Sequence, residues 1–196
     1  MATSEGKNHR ALDDAALLRL VVESEDDALG ELYDRYSGML RALARRILGD
    51  GGEAEDVLQE GFLQIWRQAP RYDPSRSSVS TWMSLIVRSR AIDRLRTRRV
   101  VERTAQSAQQ EESVRHTSPR GERNVLDQER AGRLREELGK LPAEQRQVLE
   151  LAFYGGQTQS EIAAQTGIPL GTVKTRTLLA MKKLRKALRD EIRELL

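Results

Sequence analysis

Apolar residues recur every three or four positions along most of the chain. No stretch alternates convincingly at a period of two, so the pattern predicts helices and no sheet. From Asp13, a residue suited to capping, Ala16, Leu17, Leu20 and Val21 form the inner stripe of a short helix. Ser24 and the acids after it start a second helix, with Leu29, Leu32, Tyr33, Tyr36, Leu40, Leu43, Ala44 and Ile47 in register until Gly49, Gly51 and Gly52 end it. A third runs from about Glu53 to Gln68. Its inner face is Ala54, Leu58, Gly61, Phe62 and Ile65, and its outer face is Asp56, Gln59, Glu60, Leu63 and, at the margin, Trp66. Pro70 and Pro74 make Ala69 to Ser78 a loop. Ser80 or Thr81 then opens a fourth helix, with Trp82, Leu85, Ile86, Ser89 and Ile92 turned inward and Arg90, Arg94, Thr97 and Arg98 turned out.

The period fades from Val101 to Asn124, a polar stretch with little to bury, which reads as a flexible linker with helical character at its first end. A second helical domain begins near Leu126, where Leu134, Leu138 and Leu141 lead to a helix opening at Pro142 and facing inward through Val148, Leu149 and Ala152. After Gly155-Gly156, two short helices joined by a tight turn are expected. Ser160 caps the first, Ile162 and Ala163 line its inner face, Gly167 supplies the turn and Pro169 admits the second helix. That last helix puts Val173, Thr177, Ala180, Met181, Leu184 and Leu188 on one side and Lys174, Thr175, Leu178, Leu179, Lys182, Arg185 and Lys186 on the other. Solvated surface charge would explain the basic side. The spacing of Ala163, Gly167 and Val173, which lets two helices cross closely, favours instead a helix-turn-helix that reads the DNA major groove. Leu178 and Leu179 suit thymine methyl groups or a partner protein.

Composition adds constraints. The 196 residues are 38% hydrophobic with a formal charge of +3, enough for one domain or two small ones. Arg residues crowd Arg88 to Arg103, while Glu23 to Asp34 and Glu53 to Glu60 are rich in acid, a distribution that suits nucleic acid at one patch and a protein at another. Disulfides and thiolate metal sites are excluded because there is no Cys, and His9 and His116 lie in polar surroundings that suggest no metal site. Met1 to Arg10 is polar and expected to fray. No apolar run is long enough to span a membrane and no signal peptide is evident, so a cytoplasmic protein is expected. No nucleophile with a positioned base and no Gly-rich phosphate loop emerges, so no enzyme is expected.

Several motifs in fixed order resemble the sigma-70 family of bacterial RNA polymerase sigma factors, in its small extracytoplasmic-function (ECF) group. They are Glu31-Leu32-Tyr33-Asp34-Arg35-Tyr36, Ala54-Glu55-Asp56-Val57-Leu58-Gln59-Glu60 with Phe62 and Trp66, Ser80-Thr81-Trp82, and Ala91-Ile92-Asp93-Arg94-Leu95-Arg96. The second half adds Leu141-Pro142-Ala143-Glu144-Gln145-Arg146, Glu161-Ile162-Ala163 and Gly171-Thr172-Val173-Lys174-Thr175-Arg176.

The resemblance implies an all-α fold of two small helical domains: a flexible segment 1–12, sigma region 2 over 13–99, a linker over 100–130 and sigma region 4 over 131–196. It implies a transcription initiation factor that binds core RNA polymerase, recognises minus-10 and minus-35 promoter elements, assists melting and answers to an anti-sigma factor that could hold it near the membrane. By the same resemblance, Asp56, Gln59, Glu60, Leu63 and Trp66 face core polymerase. Arg71, Tyr72, Ser75, Arg76, Ser77, Ser78 and Ser80, with Arg90, Arg94, Arg98 and Arg99, face minus-10 DNA. Thr172, Lys174, Thr175, Arg176, Leu178, Leu179 and Lys182 face the minus-35 element. Ser89 stands where relatives often carry Asn, and Leu179 where many carry Arg. The alternative is a helix-turn-helix regulator that acts without polymerase, for which the all-helical first half offers no strand-borne acidic pocket.

Overall fold

The computed structural model describes residues 9–106 and 125–188, apart from the side chains of 103–106 and 125–131. The expected linker core, His116 and the expected fraying of residues 1–8 lie outside the described residues. The chain divides into two compact units, Met1–Arg123 and Asn124–Leu196. No strand occurs among the described residues.

In the first unit, α1 (Asp14–Val22) opens on Asp13, whose carboxylate accepts from the Ala16 amide at 2.6 Å. The short turn His9–Ala11 before it is tied down, since Arg35 donates to the carbonyls of His9 and Arg10. His9 and Arg10, expected to fray, are therefore held in place. A turn with Ser24 at φ 66° leads into α2 (Asp26–Leu48), whose cap residue is Glu25, not Ser24. Gly49 ends α2 at φ 76°, as its lack of a Cβ allows. Gly51 and Gly52, expected to terminate that helix, instead form the first turn of α3 (Gly51–Gln68), because Asp50 caps it by accepting from the Glu53 amide at 2.8 Å.

After a single 3-10 turn, Ala69–Arg71, and a short loop, α4 runs over Val79–Gln106, continuing beyond residue 99. Leu17, Leu18, Leu32, Leu40, Leu48, Leu58, Ile65 and Met83 form the dry centre where α1 to α4 meet. Each such side chain contributes about 1.5–3 kcal/mol by leaving water. The buried stripe of α4 is Met83, Ile86, Val87, Ala91, Ile92 and Leu95. Leu85 and Ser89 point to solvent instead of inward, and Trp82 is half-buried. The wheel is compatible with a rotated face, and packing against the neighbouring helices of the bundle selects one.

The second unit comprises α5 (Val125–Lys140), α6 (Ala143–Phe153), α7 (Gln159–Thr166) and α8 (Leu170–Ala187). Its centre is Val148, Ile162 and Val173, with Leu151, Ala152, Ala163 and Ile168 packed around them. Leu151 takes the place expected for Leu149, and Met181 is 49% exposed rather than internal. Thr158, not Ser160, caps α7: its hydroxyl accepts from the Glu161 amide while the Glu161 carboxylate accepts from the Thr158 amide. Gly167 ends α7 at φ 69° and Pro169 stands immediately before α8. Gly155 is set by close approach, because a Cβ there would lie 2.5 Å from the Leu151 carbonyl oxygen.

Candidate functional site

Helix α3 has two distinct sides. Val57, Leu58, Phe62 and Ile65 are buried, whereas Leu63 and Trp66 are 52% and 47% exposed beside exposed Asp56 and Gln59. Glu60 lies half-exposed at the border. Two large apolar side chains flanked by acids and an amide form a surface suited to a protein partner with an apolar centre and a polar rim.

The border of that exposed side, at Glu60, meets α4 through polar contacts and ion pairs. Arg90 donates from Nε to Gln64 Oε1 at 2.5 Å and from Nη1 to Glu60 Oε2 at 2.9 Å. Arg94 donates to Glu60 Oε1 at 3.0 Å and approaches Asp56 at 4.0 Å. Arg98 donates to Glu53 Oε2 at 2.9 Å and to the Leu48 carbonyl at 3.0 Å. The side chains expected to point outward to DNA thus lie along α3, and they join two groups of candidate residues that the sequence keeps apart. Farther round α4, burial first and the neighbouring positive charge of Arg96 second lower the pKa of Arg88.

The loop between α3 and α4 is held by its own hydroxyls. Tyr72 donates to the Ser77 carbonyl at 2.8 Å, and its ring lies 5.4 Å from that of Trp82. Burial, followed by the charges of Asp14 and Asp73, raises the Tyr72 pKa, so the phenol stays a donor. Asp73 accepts from both the hydroxyl and the amide of Ser75, which hold its carboxyl below the usual range. Ser78 Oγ lies 3.1 Å from Ser80 Oγ and donates to Thr81 Oγ1 at 3.0 Å. Arg71 and Arg76 project into solvent. The loop therefore brings Tyr72, Ser77, Ser78 and Ser80 together beside an aromatic wall that includes Trp82. Helical spacing places Trp82 inward, whereas the structure leaves it half-buried against Tyr72, a pairing across the loop that periodicity does not reveal.

In α8, Val173 and Ala180 are buried, while Lys174, Thr175, Leu178, Leu179 and Lys182 are exposed. Leu178 is 68% exposed, the extreme among the exposed large apolar side chains of the described residues. Thr172 and Arg176 are half-buried, and the Thr175 hydroxyl donates back to the Gly171 carbonyl at 2.9 Å. The N-terminal part of α8 thus offers Lys174 and Thr175 on its open side, with the leucines one turn later. Among the described residues no acidic or His cluster could hold a metal, and no helix is long and apolar enough to cross a membrane.

Residues 32–100 match the family model for sigma-70 region 2, and residues 131–184 match that for sigma-70 region 4. The chain is 34% identical over 179 residues to the ECF RNA polymerase sigma factor RpoE of Cereibacter sphaeroides, covering 89% of this chain and 94% of the relative. It is 33% identical over 177 residues to the ECF RNA polymerase sigma factor SigK of Mycobacterium tuberculosis, covering 88% and 92%. Among solved structures it is similar to Rhodobacter sphaeroides SigE in complex with the anti-sigma ChrR, at 30% identity, 89% and 97% coverage and a TM-score of 0.46. With an all-helical fold, both region models in order and relatives matched over nearly their whole length, the chain belongs to the sigma-70 family of RNA polymerase sigma factors, in its extracytoplasmic-function group.

Proposed function

We infer that the protein is a transcription initiation factor that binds core RNA polymerase and directs it to promoters, with region 2 serving the minus-10 element and region 4 the minus-35 element. The observation that carries this reading is the presence of both regions in one chain, in family order. Asp56, Gln59, Glu60, Leu63 and Trp66 form the polymerase-docking face, where the exposed apolar pair supplies the buried centre of the contact and the acids its rim. The loop from Arg71 to Ser80 receives an unstacked base. Trp82 and Tyr72 give it an aromatic wall, and the serines and arginines supply hydrogen-bond donors.

Lys174, Thr175 and Arg176 read the upstream element from the start of α8, while Lys182 meets backbone phosphate. Leu178 and Leu179 contribute apolar contact, Leu179 at a position where many relatives carry Arg. Promoter opening follows from capture of bases, without bond chemistry, so the protein is not an enzyme. It acts in the cytoplasm, and ECF membership makes an anti-sigma protein its regulator.

The test is transcription by purified core polymerase with and without this protein, followed by mapping of the start sites. New starts sharing two upstream elements support the reading. Site-specific DNA binding with no change in polymerase output would instead support a polymerase-independent regulator.

A further inference from the structure

Arg90, Arg94 and Arg98 recur every four residues on α4 and meet Gln64, Glu60 and Glu53 running in the opposite direction along α3, but the rungs of this ladder are unequal. Arg90 is fixed at two acceptors, Gln64 and Glu60. Arg98 is fixed at Glu53 and at the Leu48 carbonyl, a backbone anchor that cannot move away independently. Arg94 makes one hydrogen bond, to Glu60, and a looser approach to Asp56, whose side chain is 66% exposed. A half-exposed pair of this kind exchanges readily for another anion, and a guanidinium fork is well matched to phosphate.

The two acids that hold Arg94 are also on or beside the face that carries Leu63 and Trp66. A partner that covers those apolar side chains and brings cations to their rim competes with Arg94 for the same carboxylates. We propose that Arg94 is the ladder's DNA-contacting arginine, and that Asp56 and Glu60 withhold it from promoter phosphate until core polymerase engages them. Arg90 shares Glu60 but keeps its bond to Gln64, and Arg98 keeps Glu53 and the Leu48 carbonyl, so α3 and α4 stay together when Glu60 is engaged. This rests on the docking reading given above, and it assigns different work to three arginines that look equivalent in the sequence.

The experiment uses the full chain and a labelled duplex with a short unpaired segment, drawn from a start site mapped as above. Asp56→Asn with Glu60→Gln should tighten binding by the free chain about two- to fivefold, the range expected for releasing a weak exposed pair. Glu23→Gln with Asp34→Asn removes the same charge from other exposed positions and should give a smaller change. Adding Arg94→Ala should abolish the gain. In holoenzyme assembled at saturating core polymerase the gain should vanish, while Arg94→Ala alone should weaken DNA binding about two- to fivefold and Arg94→Lys should retain part of it. A gain equal in the charge control, a gain that survives Arg94→Ala, or holoenzyme binding indifferent to Arg94→Ala overturns the proposal. Failure of the unaltered chain to associate with core polymerase overturns the docking reading itself, and this inference with it.

Discussion

Gly61 on α3 lies so close to Val87 on α4 that a Cβ placed on the glycine would sit 2.7 Å from Val87 Cγ2. The helices approach at that point because one of them has no side chain, and the polar ladder is built on the spacing that results. Gly61→Ala should destabilise the protein by about 1–3 kcal/mol through overpacking. Denaturant titration checks this. With Val87→Ala present as well, the combined loss should fall short of the sum of the single losses, because the valine methyl is what the new Cβ strikes.

Arg35 joins α2 to the turn ahead of α1, donating to Asp14, Glu31 and the carbonyls of His9 and Arg10. Hydrogen bonds from a charged donor are each worth about 1.5–3 kcal/mol. Arg35→Ala should therefore speed limited tryptic cleavage after Arg10 by about tenfold or more, read by mass spectrometry of the product. Arg35→Lys should not restore protection, since a single ammonium cannot reproduce the guanidinium fork.

The Asp73 carboxyl is held below its usual pKa first by the Ser75 hydroxyl and then by the Ser75 amide. A lowered folded-state pKa means that this support is fully present above the unfolded-state value and is lost as pH falls through the folded-state value. Ser75→Ala should move the Asp73 titration upward toward the ordinary carboxylate range, measured by carbon NMR of the carboxyl group. An unmoved titration would show that the hydroxyl does not support the carboxylate in solution.

Gly167 has φ 69° and no atom within 4 Å of where a Cβ would stand. Gly167→Ala should consequently cost about 1–2 kcal/mol from backbone strain alone. Thr158→Ala, which removes the α7 cap, should cost about 1 kcal/mol. Hydrogen exchange of α7 and α8 amides in the full chain measures both, and Gly167→Asn should be milder than Gly167→Ala because Asn tolerates the left-handed conformation.

Leu179 is 43% exposed on the open side of α8. Leu179→Arg should strengthen promoter binding at low salt and steepen the dependence of log affinity on log salt by about 1, the signature of one added phosphate contact. Titrations at several salt concentrations read the slope. An unchanged slope would place Leu179 away from the DNA backbone.

Local chemistry is largely legible in the sequence. Asp13 as a cap, Gly167 as a turn residue and the outward face of Leu63 and Trp66 all follow from neighbours within one or two helical turns. Two of the differences show where local signals are ambiguous. Thr158 and Ser160 can both cap a helix, and only the reciprocal bond with Glu161 distinguishes them. For α4, periodicity places Leu85 inward, whereas packing in the bundle buries Met83 and leaves Leu85 exposed.

Helical periodicity, the break between two helical segments and the basic second helix of the turn were properties of the sequence by itself, because each depends on residues close together along the chain. What tertiary structure decided was pairing across distance: Arg94 meets Glu60 although 34 residues separate them. Charge alone makes every Arg of α4 an equal candidate for phosphate. Their differences arise only when folding sets particular carboxylates and a carbonyl against particular guanidinium groups, and so determines which cation can exchange its partner.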